Sequence, residues 1–173
     1  HLKKIPTRGE GQATLLVQAE GELLTEEKLY DEALAVYDTA IEGKKYNTEL
    51  LYARAMLAEK MSRIDLMEQD LRRILVKEPD NVQALNALGY TLADETDRYQ
   101  EAYALVKRAL ELSPDDFYIL DSMGWVMYRL GRHEEAIALL QKAMSLRQDP
   151  EIAAHLGEVL WVKGDKEAAK KVW

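Results

Sequence analysis

The chain has 173 residues, enough for one domain or an elongated array with a substantial buried core. Its net charge of −8 repels phosphate backbones and anionic lipid, which argues against nucleic acid, and no apolar run nears the roughly 18 residues that span a bilayer. Zero cysteines exclude disulfides, thiolate nucleophiles and Cys-ligated metals, and an abundance of Ala, Leu, Glu and Lys with few prolines points to an all-helical chain.

Taken in chain order, the sequence divides into a lead-in at 1–13 and repeats at 14–47, 48–81, 82–116 and 117–149, with a fifth begun at 150–173 and cut short. Three registers carry the division. Gly89, Gly124 and Gly157 are 35 and 33 residues apart. Ala33, Met67, Ala102, Ala136 and Ala169 are spaced 34, 35, 34 and 33. Ala40, Ile74, Ala109 and Ala143 follow seven residues behind the first four of these, two helical turns along the same face. Each unit therefore reads as helix, break, helix, break.

The breaks are written in turn chemistry. Glu78-Pro79-Asp80-Asn81 and Ser113-Pro114-Asp115-Asp116 stop one helix with Pro and offer Asn or Asp as N-cap for the next, and Asp149-Pro150 does the same. Gly131 and Gly164 close first helices where a left-handed residue is wanted. An in-helix Gly costs about 1 kcal/mol relative to Ala, so its repetition in register predicts a close approach between the two helices, small residue against small residue.

A helix-turn-helix unit of this period and pattern resembles the tetratricopeptide repeat, over residues 14–173. The resemblance implies a right-handed superhelical solenoid of antiparallel helix pairs, four complete and one truncated, working as a non-catalytic protein-binding scaffold. Departures from the pattern mark the least regular repeats. The first has Glu20-Gly21 and lacks a closing Pro at Lys45; the second has Arg54-Ala55 and Met67; the third carries an extra residue in Asp94 to Arg98, which predicts a distorted turn.

Signatures of chemistry are sparse. His1 is terminal, His133 falls in an inter-helix turn, and His155 has no His or Cys at ligand spacing, so no metal or cofactor is expected. The carboxylates at Glu20, Glu22, Glu26 and Glu27 and at Asp94, Glu95 and Asp97 read as solvated faces, not a calcium loop. No phosphate loop, nucleophile elbow or dinucleotide fingerprint is present, and an enzyme is not expected.

What remains is surface. Opposite the Leu-Gly seam, the first helices present Tyr52, Met56 and Glu59, then Asn86, Tyr90 and Ala93, then Tyr118, Asp121, Trp125 and Tyr128, then Glu158 and Trp161. Tyr52, Met56, Asn86, Tyr90, Tyr118, Asp121, Trp125, Tyr128 and Trp161 are the candidate partner-binding residues of a concave groove, with Trp125, Tyr128 and Tyr90 as its principal contacts, because amphipathic rings dominate interface hot spots. Lys and Arg counted against Asp and Glu give +2 for the lead-in and −5, −1, −4, 0 and 0 for the successive repeats. A partner would thus be steered by its basic residues to one end and held by apolar contacts at the other. The subgroup of the family that clamps heat-shock-protein tails uses Lys and Asn on successive first helices; here Tyr52, Met56 and Tyr90 stand there, and only Asn86 is reminiscent.

The run ALNALGYTLADETDRYQEAYALVKRALELSPDDFYILDSMGWVMYRLGRHEEAIALLQKAMSL, followed by DPEIAAHLGEVLW, is similar to the C-terminal part of proteobacterial envelope tetratricopeptide proteins, including a pseudomonad outer-membrane lipoprotein that partners a periplasmic carboxyl-terminal processing protease. This resemblance, over roughly 48–173, implies a lipid-anchored, periplasm-facing parent that brings the protease and its substrates together. His1 without a preceding Met, and a last residue inside a repeat, lead to the expectation of a soluble excised fragment. Two alternatives compete: self-association through the uncovered Val172 and Trp173, and an accessory region of an enzyme.

Overall fold

A computed structural model describes residues 8–42 and 46–173 of the chain. The lead-in positions 1–7 and Lys45 lie outside the described residues. Among those described, the chain is all helix and holds no strand. It forms two compact units, one ending at Lys77 and the other spanning Glu78–Trp173.

The first unit holds α1 (Arg8–Glu26), α2 (Tyr30–Glu42), α3 (Thr48–Lys60) and α4 (Ile64–Lys77). The second holds α5 (Val82–Glu95), α6 (Tyr99–Leu112), α7 (Phe117–Arg129), α8 (His133–Leu146), α9 (Pro150–Lys163) and α10 (Lys166–Val172). Helix starts sit on the expected caps. Asn81 accepts from the Ala84 amide at 3.0 Å, Asp116 from those of Tyr118 and Ile119 at 2.9 and 3.2 Å, and Asp149 from that of Glu151 at 2.9 Å with Pro150 entering the first turn.

Turns within the helix pairs share one device. Lys28, Ser62, Gly131 and Gly164, in register, all adopt positive φ, between 55° and 102°. The third pair is the exception: its extra residue replaces the left-handed turn with an extended Thr96, whose hydroxyl bonds back to the Leu92 carbonyl.

The glycine seam differs from a small-to-small contact. A methyl group added at Gly124 would come within 2.7 Å of Leu140 Cγ. Gly21 likewise lies against the Tyr37 ring, Gly89 against Val106 and Gly157 against the Trp173 indole. Tyr37, Val106, Leu140 and Trp173 each stand four residues after a register alanine, at 33, 102, 136 and 169. The alanine clears the helix approach and the larger residue one turn on fills the hollow that glycine leaves. Around this seam the cores close on Leu50, Leu71 and Ile74 in the first unit and on Leu88, Val106, Val126, Leu140 and Ile152 in the second, all buried.

The second pair solves the seam differently. Ala55 takes the glycine place, and Arg54 and Asp70 take the places that hold Leu88 and Leu105, or Met123 and Leu139, in later repeats. Arg54 Nε and Nη2 grip the fully buried Asp70 carboxylate at 2.7 and 2.8 Å, and Nη1 reaches Asp38 on α2 at 2.7 Å. The hydrogen bonds to Asp70 raise the Arg54 pKa further against the opposing effect of burial, so the guanidinium stays charged. An apolar pair has been exchanged for an ion pair that ties three helices. Removing one partner strands a buried charge, so Arg54→Leu should lower unfolding free energy by about 3–5 kcal/mol, whereas Arg54→Leu with Asp70→Leu should recover most of it. Urea unfolding of both variants checks this; a double variant no more stable than the single one would count against the exchange.

Candidate functional site

In the second unit α5 packs on α7 and α7 on α9, while α6 and α8 make their main contacts with first helices. The first helices therefore form a continuous layer, and their residues at heptad-like spacing face one side. Near the layer's centre a polar and aromatic network joins three successive repeats.

His155 on α9 is 9% exposed, and its Nδ1 lies 2.8 and 3.0 Å from the two Asp121 oxygens on α7. Its Nε2 is 3.4 Å from the Tyr90 hydroxyl on α5. The Trp125 ring stacks on the imidazole with centroids 4.4 Å apart, and its Nε1–H donates to Asp94 Oδ1 at 3.0 Å. One turn further, the Tyr128 hydroxyl donates to Glu158 at 3.2 Å, and its ring meets Trp125 and His133. Buried polar groups are expensive unless paired, so this network fixes the angle between consecutive first helices. Among the described residues no group of three or more His, Cys, Asp or Glu is placed to hold a metal ion.

The candidate residues fall into three places. Trp125, 6% exposed, and Asp121, 5% exposed, are sealed within the layer, so Trp125 is not an open contact as the spacing suggested; its indole edge and face are both satisfied internally. Tyr90 and Tyr128 are half-buried and present part of their rings, and Tyr118, half exposed, packs against Phe117. Asn86 is half-buried, and among the described residues its buried Oδ1 has no hydrogen-bond partner. Trp161 departs from the others: its ring stacks on Trp173 at 5.7 Å with Lys166 5.0 Å above it, so it belongs to the α9–α10 end and not to the network. Tyr52 and Met56 lie half-buried in the first unit, where Met56 lines a cavity. Burial, then the charge of Glu59, raises the Tyr52 pKa.

His155, which the sequence offers no ligand partner at metal-binding spacing, is the hub. Its signal was present: Asp121 and His155 are 34 residues apart, one repeat, which places them side by side on adjacent first helices.

Residues 80–149 match the family model described as Tetratricopeptide repeat. The chain is 46% identical over 146 residues to a TPR repeat-containing protein of Pseudomonas aeruginosa, an alignment covering 84% of this chain and 25% of that protein. This chain is a tetratricopeptide repeat protein. It is also 30% identical over 139 residues to mouse tetratricopeptide repeat protein 21A, covering 80% of this chain and 10% of the relative. The chain thus spans about a quarter of the length of the bacterial relative and a tenth of the mouse one. Solved tetratricopeptide structures share the fold. One from Thermus thermophilus superposes with a TM-score of 0.79 at 22% identity, covering 92% of this chain and 87% of the other. One from Parabacteroides merdae gives 0.82 at 18% identity, covering 92% and 62%.

The tetratricopeptide layer carries its own pH dependence. Burial opposes the charged form of His155, and the hydrogen bond and charge of Asp121, aided by Glu151 and Asp94, outweigh it, so the pKa is raised. The resulting stabilisation is full below the unfolded value of about 6.5 and is lost as pH rises through the folded value. The stability gap between the native chain and Asp121→Asn, read from urea unfolding, should therefore narrow between about pH 5.5 and 8.5, bracketing the ordinary imidazole range. A gap independent of pH would show that the pair does not titrate in this window.

Proposed function

We propose that the chain is a protein-binding scaffold that captures a polypeptide segment on the face of α5, α7 and α9. Tetratricopeptide repeats in general mediate protein–protein interaction. The observation that carries the reading for this chain is the rigid bed beneath the face. Asp121, His155 and Trp125 are locked by buried contacts, and the partly open rings of Tyr90, Tyr118 and Tyr128 stand on the same helices. A preformed surface loses little ordering entropy on binding, and tyrosine offers contact area at low rotamer cost. The Asp121–His155 pair has the look of a catalytic dyad, but it is buried and serves the helix angle.

The proposed partner comes from the resemblance to envelope tetratricopeptide proteins, and the 46% identity to a TPR repeat-containing protein of Pseudomonas aeruginosa supports the repeat family on which that resemblance rests. The parent would face the periplasm from a lipid anchor and deliver substrate proteins to a carboxyl-terminal processing protease. Among the described residues no helix is long and apolar enough to cross a membrane. A second reading, self-association, draws on the exposed Trp161, Val162 and Trp173 at the α9–α10 end; sedimentation that stays monomeric at rising concentration would reject it.

The test is capture from envelope extract by the immobilised chain. The processing protease should be retained, and Tyr118→Ala with Tyr128→Ala should weaken retention at least about tenfold, as loss of central aromatic contacts does, with circular dichroism unchanged. Protease absent from the eluate, or retained equally by the double variant, would overturn the assignment.

A further inference from the structure

The first unit contains a cavity of about 350 Å³ bordered by α1, α2 and α3. Its lining is mixed: half-buried Ala53 and Met56 give the accessible apolar part, Thr25 adds a hydroxyl, and Tyr37 and Leu57 lie sealed beneath at 2% exposure each. Its rim is charged. Glu22 and Glu26, one helical turn apart on α1, and Lys60 at the end of α3 are all exposed, and none of the three forms an ion pair among the described residues. Burial, followed by the charge of Glu22, raises the Tyr37 pKa, so its ring stays a neutral phenol facing that carboxylate.

We infer that this cavity is a receptor for one arginine side chain of a bound polypeptide. An arginine has the two properties the cavity asks for in one side chain. Its three-methylene stem packs over Met56 and Ala53, while the planar guanidinium reaches two carboxylates at i and i+4 spacing and donates to both. An aliphatic side chain would leave the two carboxylates unused, and an acidic one would meet them as like charges. The rim holds two carboxylates against one ammonium, and the repeat that supplies α1 and α2 carries a net charge of −5, so the local field draws cations. The inference rests on the reading of the chain as a peptide-binding scaffold and adds the chemistry of what the first unit by itself would take: a basic side chain.

The cavity floor carries its own reporter. Of the chain's six methionines, Met56 lines the cavity, and Met61, Met67, Met123, Met127 and Met144 serve as internal references. The full chain, labelled with carbon-13 at the methionine methyls, is titrated with the blocked peptide Gly-Ala-Arg-Ala-Gly and with its citrulline counterpart, which keeps the shape and removes the charge. A saturable shift confined to the Met56 methyl is expected with arginine and a much weaker one with citrulline. Each exposed carboxylate–cation pair contributes at most about fivefold, so Glu22→Gln with Glu26→Gln should weaken arginine binding about tenfold, and Lys60→Gln should strengthen it. Equal shifts with arginine and citrulline, no Met56 shift, or an unchanged affinity in the double variant would overturn the receptor. Because the probe is a synthetic peptide read at Met56, that failure is separate from the protease-capture assay, which reports on Tyr118 and Tyr128.

Discussion

The contact between a first-helix glycine and the residue one turn beyond a second-helix alanine sets the geometry of four of the five helix pairs among the described residues. At Gly89 and Gly124 the partner is a branched aliphatic residue, at Gly21 and Gly157 it is an aromatic ring, and in every case the side chain occupies the volume a Cβ would need. Glycine inside a helix sacrifices about 1 kcal/mol of intrinsic stability, and the side chain packed into its place recovers that through close contact. Because the seam uses one face of each first helix, the opposite face is left for other work.

Two different uses of polar groups follow. In the second pair an Arg–Asp exchange enters the seam itself, and Arg54 then ties α2, α3 and α4 in place of apolar contact. In the second unit polar groups lie between first helices instead, where Asp121–His155 and Trp125–Asp94 hold neighbouring repeats at fixed offsets. Paired buried groups of this kind add directional preference that apolar packing lacks. The half-open tyrosines on that layer inherit the rigidity.

Repeat period, helix pairing, caps and the left-handed turn glycines were legible in the sequence because each depends on local chemistry recurring at a fixed interval. Asn81, Asp116 and Asp149 are caps wherever they stand before a helix. The glycine's partner was less legible, since the register alanine is the visible feature and the filling residue varies from Tyr37 to Val106 to Trp173. Trp125 was misjudged for a related reason: heptad spacing gives the face of a helix, but not how deep the neighbouring helix covers it. Lys28 and Ser62 in left-handed turns carry no compositional signal and are found only through their register with Gly131 and Gly164. Trp161 shares the spacing of Tyr128 yet turns to Trp173, a choice made by what the last helix offers.

A seam that consumes one face and a polar network that stiffens the layer together leave the opposite face of the first helices rigid and partly open, the property on which the proposed scaffold role draws. Its origin in the glycine contact is most directly tested by a double-mutant cycle between Gly124 and Leu140. Gly124→Ala should destabilise the native chain by about 1–3 kcal/mol through overpacking, and should become neutral or stabilising in a Leu140→Ala background, where alanine is the better helix former. An equal effect of Gly124→Ala in both backgrounds would contradict the account.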